Sequence, residues 1–222
     1  TRYSQLTPIN RQTVGNLKLA WTYHSGELDR ARQKTIECTP LVVDGTMFIA
    51  DIGQSQIEEI NRGVAGANYG WRLREGTFAT AFEPAFAGSV RPNPVYPRPE
   101  DSQPYTYPVA QYDHTPSNAV SSVYVYRGSA IAGLANKLVF SDMVTGRIYY
   151  TDTDVLSPDG SAQLYELQIR LNGQVQNIAE ALGFDNTYSR GNRADVRLGR
   201  DAAGELYLLT KGDGWIRRLV AP

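Results

Sequence analysis

The chain has 222 residues, of which 41% are hydrophobic and 20% are charged, and its formal net charge is −1. This balance is that of a globular protein, and it argues against a nucleic-acid partner, which needs a basic face to neutralise phosphates. No apolar run approaches the roughly 20 residues that span a bilayer, and the polar N-terminus has no signal-peptide pattern. The lone Cys38 excludes an intrachain disulfide and a cysteine-based metal site.

Short runs rich in Val, Ile, Leu and Tyr, bounded by Gly, Asp or Asn, predict β-strands throughout the chain. In chain order they cover residues 18–23, 40–43, 46–50, 122–126, 137–141, 147–151, 162–168, 174–178, 205–210 and 215–219. The pair Asp44-Gly45 favours a two-residue hairpin, because it tolerates positive φ angles. Residues 203–204 and 212–214 favour similar turns, and residues 177–182 allow one short helical turn.

The segment 79–108 differs from the rest of the chain. Seven of the 12 prolines lie between Pro84 and Pro108. Because proline cannot donate to a β-ladder, we predict a long loop that lies over the sheets. A linker between parts of the fold and a lid over a site both fit such a loop.

Many short strands with turns between them are typical of a sandwich, a barrel or a propeller, and their spacing does not choose among the three. A propeller blade takes about 40–50 residues, so this chain would hold about four to five blades at most. The fold class is therefore predicted as all-β, and the choice of architecture depends on motifs.

The most informative segment reads Asp-Ile-Gly-Gln-Ser-Gln-Ile-Glu-Glu-Ile-Asn over residues 51–61, followed by Gly-Ala-Asn-Tyr-Gly-Trp over 66–71. Glu58 and Glu59 are adjacent carboxylates, and Gly53 lets backbone carbonyls come close to a ligand. Carboxylate and carbonyl oxygens suit a hard cation such as calcium. The alternative is a strand edge with two solvated glutamates.

These motifs resemble the signature of the soluble glucose/sorbosone dehydrogenases, which are six-bladed propellers. The resemblance continues through Tyr-Val-Tyr-Arg-Gly at 124–128, Leu-Val-Phe-Ser-Asp at 138–142, Thr-Gly-Arg-Ile at 145–148 and Gly-Glu-Leu-Tyr-Leu-Leu-Thr at 204–210. It covers residues 46–219 and implies a partial β-propeller, incomplete or open.

In that family pyrroloquinoline quinone (PQQ) is bound with one calcium ion, and a second calcium ion is structural. The resemblance places the carbonyls of Gly53 and Gln54 where the cofactor's calcium is held. Glu59 and the Tyr69 carbonyl match the structural calcium site, with Glu58 beside them. Gln54 replaces a common proline, which a carbonyl ligand tolerates.

Further cofactor contacts follow from the same resemblance. Ser117 matches a hydroxyl residue that contacts the quinone. The family has a pair of arginines at this point, and only Arg193 remains here, shifted by one position from the family's motif. The lysine that pairs with the cofactor in well-known members would lie near Asp142 or Met143, and it is missing.

The N-terminal segment is similar to the opening of another group, the eight-bladed quinoprotein alcohol and membrane glucose dehydrogenases. Its motifs are residues 2–10, residues 17–23 and Ile-Glu-Cys-Thr-Pro-Leu-Val-Val-Asp-Gly-Thr-Met at 36–47. In those enzymes the glutamate of Glu-x-x-Pro reaches the quinone, which makes Glu37 a candidate cofactor contact; a polar residue at a strand start is the alternative. We expect a first-blade segment over 1–45 joined to a C-terminal propeller part over 46–222.

The resemblance implies a periplasmic or secreted protein that oxidises an aldose or alcohol by hydride transfer to PQQ and reduces an external electron acceptor. The reaction needs a general base, which the family takes from an early blade that is replaced here. His114, near Ser117, is the candidate, against a loop-packing role. An inactive propeller fragment or a calcium-binding interaction module is therefore the alternative, and open propeller edges predict self-association.

Overall fold

A computed structural model describes residues 8–19, 40–54, 56–80, 104–113, 119–184 and 194–222. The chain divides into two compact units, Thr1–Glu37 and Cys38–Pro222. In the first unit the described residues form one 3₁₀ turn, Val14–Asn16, which follows a turn closed by the side chain of Asn10. Residues 18 and 19 are not in a strand, and the remainder of the strand predicted over 18–23 lies outside the described residues.

The first sheet of the second unit is antiparallel, with the spatial order β1-β2-β3-β6. Its strands are β1 (Leu41–Val43), β2 (Thr46–Asp51), β3 (Ile57–Arg62) and β6 (Ala110–Asp113). Between β3 and β6 the chain forms a small hairpin of β4 (Arg74–Glu75) and β5 (Phe78–Ala79). The turn from β1 to β2 has positive φ at Asp44 (49°) and Gly45 (77°), which confirms the predicted hairpin.

The second sheet has the order β10-β9-β8-β7 and is also antiparallel. Its strands are β7 (Val120–Val125), β8 (Lys137–Asp142), β9 (Ile148–Asp152) and β10 (Tyr165–Glu166). Alternate side chains of β8 enter different cores: Leu138 and Phe140 pack with the first sheet, whereas Val139 packs with the third. The second sheet is thus buried on both faces.

The third sheet has the order β13-β14-β15, with β13 (Val196–Arg200), β14 (Leu206–Thr210) and β15 (Trp215–Arg218). It is preceded by the hairpin of β11 (Arg170–Leu171) and β12 (Gln174–Val175) and by the helix α1 (Ile178–Ala181). Asn177 and Glu180 form a capping box at the start of α1, which confirms the predicted helical turn.

Strand β7 joins the second and third sheets through a β-bulge. The register of β7 against β8 shifts between Val120 and Ser122. Ser121 Oγ donates to the Val196 carbonyl at 3.0 Å, and Ser122 Oγ accepts from Leu198 N at 3.1 Å. Two consecutive hydroxyls therefore bond to β13, which an unbulged strand would not allow because its side chains alternate.

Three antiparallel sheets packed face to face through apolar cores are the arrangement of propeller blades, and the prediction of a partial, open β-propeller is confirmed. The described residues form three such sheets and two small hairpins. Six of the strands were not predicted: β3, β4, β5, β6, β11 and β13. None of the helices in the described ranges is long and apolar enough to cross a membrane.

Candidate functional site

The loop between β2 and β3, which carries Gly53 and Gln54, is held by a buried carboxylate. Glu75 Oε1 accepts from Gln54 N at 2.9 Å, and Glu75 Oε2 accepts from Gln56 N at 2.8 Å and from Ile57 N at 3.3 Å. Only 5% of Glu75 is exposed. Because the N–H and C=O of a trans peptide point in opposite directions, the Gly53 carbonyl faces away from Glu75.

Position 53 has room for glycine alone. A Cβ atom there would lie 1.9 Å from the carbonyl oxygen of Ile57, well inside van der Waals contact. The sequence predicted that this glycine lets a ligand approach the backbone. The structure shows a steric reason for glycine at this position, which is that the loop folds back on its own main chain.

Glu59 lies in the middle of the first sheet and faces the hairpin β4–β5. Its Oε1 accepts from Gly76 N at 2.5 Å, and its Oε2 accepts from Asn61 Nδ2 at 3.2 Å. Burial raises the pKa of Glu59 to about 8, with the charge of Asp51 as the second cause. The alternative of solvated glutamates is wrong, since Glu58 is fully buried and Glu59 is 5% exposed.

Glu58 and Glu59 do not meet in one site. Neighbouring residues of a strand point to opposite faces, and Glu58 Oε2 accepts from Val120 N of the second sheet at 2.8 Å. Glu58 thus connects two sheets, whereas Glu59 faces the hairpin. The structure does not bring the Glu58 carboxylate to the candidate calcium residues.

The surroundings of Glu59 fit a hard cation. Asn61 is fully buried, and within the described part of the chain its Oδ1 is an acceptor with no hydrogen-bond partner. Asn61 donates to Glu59 through Nδ2, and its Oδ1 is the other branch of the same amide, so these two side chains together carry oxygen atoms of the kind that calcium prefers. No three acidic, histidine or cysteine side chains cluster for a metal in these described ranges, so a cation here would also need carbonyl ligands.

Tyr69 follows β3 and braces the turn there through its side chain. The hydroxyl accepts from Val64 N at 2.9 Å and donates to the Arg62 carbonyl at 3.1 Å. Gly70 N donates to Asn68 Oδ1 at 3.0 Å. By the geometry of a trans peptide, the Tyr69 carbonyl points away from Asn68.

Asp142, which stands near the position of the missing lysine, has a structural role. Its Oδ1 accepts from Val144 N, Thr145 N and Thr145 Oγ1 at 2.8–3.0 Å, and its Oδ2 accepts from Ala119 N at 2.9 Å and from Tyr112 Oη at 3.3 Å. Burial, and then the charge of Asp142, raise the pKa of Tyr112 well above its usual range. This carboxylate therefore organises the turn after β8 and the start of β7.

Four predicted site residues, Glu37, His114, Ser117 and Arg193, lie outside the described residues. His114 and Ser117 belong to the connection between β6 of the first sheet and β7 of the second. Their roles stay predictions.

Sequence reasoning missed two residues that build the site, Glu75 and Gln111. Gln111 Oε1 accepts from Thr77 N, and its Nε2 donates to Thr77 Oγ1, both at 2.9 Å. Gln111 and Glu59 are cross-strand partners, so together they hold the hairpin that presents Glu75. The available signal was the pair Glu75-Gly76, which follows the Tyr-Gly-Trp motif after a few residues.

Two sequence models of known protein families match this chain. The sequence model described as "Glucose / Sorbosone dehydrogenase" matches residues 37–218. The chain belongs to the glucose/sorbosone dehydrogenase family. A second model, the β-propeller domain of glucose/ethanol/alcohol dehydrogenases, matches residues 1–68 of this family member. Both resemblances seen in the sequence are confirmed.

Individual relatives each align with a part of this chain. Alcohol dehydrogenase (quinone), dehydrogenase subunit, from Gluconacetobacter polyoxogenes is 53% identical over 47 residues, which are 21% of this chain and 6% of the relative. A solved glucose dehydrogenase has a TM-score of 0.50 and 19% identity over 81% of this chain and 42% of its own. This likeness shows the fold.

Two aldose sugar dehydrogenases give similar alignments. The PQQ-bound enzyme from Streptomyces coelicolor has a TM-score of 0.44 and 16% identity over 79% of this chain and 40% of its own. The apo enzyme from Escherichia coli has a TM-score of 0.47 and 19% identity over 78% of this chain and 40% of its own. The chain thus spans less than half the length of these relatives.

Proposed function

We propose that this chain takes part in the PQQ-dependent oxidation of an aldose sugar or an alcohol, with electrons passed to an external acceptor. The observation that carries the proposal is the Gly53–Gln54 loop, which lies inside the family match and turns the Gly53 carbonyl away from a buried carboxylate. The β-propeller model that matches residues 1–68 is named for PQQ, which supports the choice of cofactor. When bound, PQQ accepts the hydride that the substrate loses.

The proposal gives each residue of the described site a role. The carbonyls of Gly53 and Gln54 hold the calcium that accompanies the cofactor, and Glu59 with the Tyr69 carbonyl holds a second, structural calcium. The buried Asn61 Oδ1 is suited to the second ion as well. A cation beside Glu59 would favour its charged form, and thus lower the pKa that burial raises.

The remaining roles rest on residues outside the described ranges. His114 takes the proton of the substrate hydroxyl as a general base, because sugar oxidation requires that proton to leave as hydride is transferred. Ser117, Arg193 and Glu37 contact the quinone. The same proposal places the protein in the periplasm or outside the cell, and includes association of copies through open sheet edges such as β15, where Trp215 is 63% exposed.

The test uses the full chain with PQQ and calcium chloride. Quinone binding is followed by its absorbance, and turnover by reduction of a dye with glucose, other aldoses and ethanol as substrates. We expect a one-to-one quinone complex and dye reduction that His114→Asn lowers by roughly a hundredfold or more. The matched control is His24→Asn, at the other histidine of the chain, which should leave the rate unchanged.

The outcomes separate the candidate functions. Absence of quinone binding contradicts the proposal. A stoichiometric quinone complex without turnover supports the alternative, an inactive propeller fragment that lacks its general base. Equal rates for both histidine variants would remove His114 from the mechanism.

A further inference from the structure

We infer that Glu75 is the positioning residue of the loop that carries the candidate cofactor-calcium carbonyls, and that its carboxylate fixes the direction in which the Gly53 carbonyl points. The inference rests on the proposed function for its ligand. The geometry itself is that of one buried carboxylate bound to three backbone N–H groups of one loop.

The loop forms a concavity of backbone N–H groups. Gln54, Gln56 and Ile57 all donate inward to the two oxygens of Glu75. Such concavities bind anions, and here the anion is a side chain of the same protein. Hydrogen bonds to a charged acceptor are about twice as strong as neutral ones, so the inward direction of these N–H groups is firmly set.

The carbonyl side of the loop is fixed as a consequence. The Gly53 carbonyl belongs to the same planar peptide as Gln54 N–H, so the two groups cannot turn independently. The negative charge of Glu75 next to the Gln54 N–H also polarises this peptide bond. The Gly53 carbonyl oxygen therefore becomes more negative and a better ligand for a cation. Glu75 would therefore affect a cation at the Gly53 carbonyl without being one of its ligands.

Glu75 is in turn placed by the hairpin between β4 and β5. Gly76 has a φ of 59°, and a Cβ atom there would lie 2.2 Å from Gln111 Oε1 and 2.6 Å from Ile57 Cγ2. Glycine thus allows the hairpin to approach β3 and β6 closely. Gly76 N then donates to Glu59 and Thr77 N to Gln111, which fixes the hairpin.

The first test measures amide hydrogen exchange by NMR in the ligand-free full chain. In Glu75→Gln the amide group offers one acceptor in place of two, and its NH₂ would face the N–H groups of the loop. We expect the amides of Gln54, Gln56 and Ile57 to exchange roughly tenfold faster than in the wild type, beyond any change in global stability.

The matched control is Glu205→Gln. Glu205 is a second buried carboxylate that accepts from two backbone N–H groups, those of Ser129 and Ala130, but it lies at the third sheet. This variant should leave exchange at Gln54, Gln56 and Ile57 unchanged after the same correction. Equal exchange at these amides in the two variants would overturn the inference.

A shorter carboxylate provides a second variant if Glu75→Gln does not fold. Glu75→Asp keeps the charge, but its shorter side chain cannot reach all three amides. The exchange rate should therefore rise at some of these amides, by less than in Glu75→Gln. Wild-type exchange at all three amides in a folded Glu75→Asp protein would contradict the positioning role.

The second readout is PQQ affinity in the presence of calcium. We expect Glu75→Gln to weaken binding by roughly tenfold, and Glu205→Gln to leave it unchanged. If the wild type binds no quinone, the proposed function fails, while the exchange measurement still decides the role of Glu75 in the loop. Quinone affinity that is the same in Glu75→Gln and wild type would overturn the part of the inference that connects Glu75 to the cofactor's calcium.

Discussion

The Tyr126 hydroxyl lies 2.6 Å from Glu205 Oε2, although 79 residues separate the two along the chain. Tyr126 follows the last residue of β7 and Glu205 precedes β14, so this hydrogen bond joins the second and third sheets. Tyr126 is fully buried and Glu205 is 3% exposed. The carboxylate also accepts from Ser129 N and Ala130 N, at 2.9 and 3.0 Å.

We predict that Glu205→Gln lowers the midpoint of thermal unfolding at pH 7 by roughly 5 °C, since buried N–H groups lose charged acceptors. The hydrogen bond from Tyr126 is the main cause that lowers the pKa of Glu205. A carboxyl with a lowered pKa stabilises the fold above the pKa of the unfolded chain, and this contribution is lost as the pH falls. Unfolding of both proteins should therefore be measured between pH 7 and 3.

The difference between wild type and Glu205→Gln should shrink as the pH falls below about 4.5, the ordinary value for glutamate. Tyr126→Phe is the companion variant, because it removes only the hydroxyl. The two substitutions together should cost less than the sum of their separate effects. Strict additivity would show that the hydroxyl and the carboxylate act independently.

A second prediction concerns Glu59 in calcium-free protein. Its pKa of about 8 lies above the ordinary glutamate value of 4.5, so between these pH values the folded protein holds a proton that the unfolded chain releases. The stability of the fold should accordingly fall as the pH rises from 4.5 to 8. Glu59→Gln removes this dependence and should raise the unfolding midpoint at pH 8 by about 5 °C or more, with little effect at pH 4.5.

Thermal unfolding of both proteins across this pH range, in the presence of a chelator, provides the measurement. Added calcium should reduce the pH dependence of the wild type, because a cation favours the ionised carboxyl. A wild-type midpoint that does not change between pH 4.5 and 8 would contradict the raised pKa.

The third prediction is that Gly53→Ala disrupts the loop before β3. The new methyl group would meet the Ile57 carbonyl oxygen at 1.9 Å, so the backbone must move. We expect quinone affinity to fall by roughly tenfold or more and the unfolding midpoint to fall by several degrees. Gly133→Ala is the control, since a Cβ atom there meets nothing within 4 Å. An effect of equal size in both variants would contradict the steric argument.

Asp213 carries the fourth prediction. Its carboxylate receives hydrogen bonds from Arg217, Thr210 and Trp215 N, of which the bond from Arg217 contributes most to lowering its pKa to about 2. Stability from this group is present above pH 3.8 and is lost as the pH falls towards 2. An NMR titration of the Asp213 carboxyl should give a pKa near 2, which Arg217→Gln should move back towards 3.8. A wild-type value near 3.8 would show that the ion pair is not formed.

Local signals in the sequence predicted the elements that depend on local physics. The hairpin at Asp44-Gly45 follows from residues that accept positive φ, and the strands β7, β8 and β9 follow from alternating apolar residues. The helix α1 follows from a capping box within four residues. In each case the cause lies within a few residues of the element.

Strand β3 and the site around it depend on distant partners and were therefore not predicted. Glu58 and Glu59 look like surface residues, but one is held by Val120, 62 residues away, and the other by Gly76, 17 residues away. Glu75 acts on a loop that lies 18–21 residues earlier in the chain. The residues pointed to a cation near Gly53 and the family resemblance added Gln54, but neither indicated what holds their loop.

The bulge in β7 has a consequence for how the propeller tolerates mutation. Hydrogen bonds restrict distance and direction more narrowly than apolar contacts do, and Ser121 and Ser122 both bond to the main chain of β13. The two hydroxyl groups thus fix the spacing of β7 and β13 at two points, in addition to the apolar packing between their sheets. Loss of either hydroxyl would leave a main-chain group of β13 without that partner, which a change in the size of a core side chain would not do.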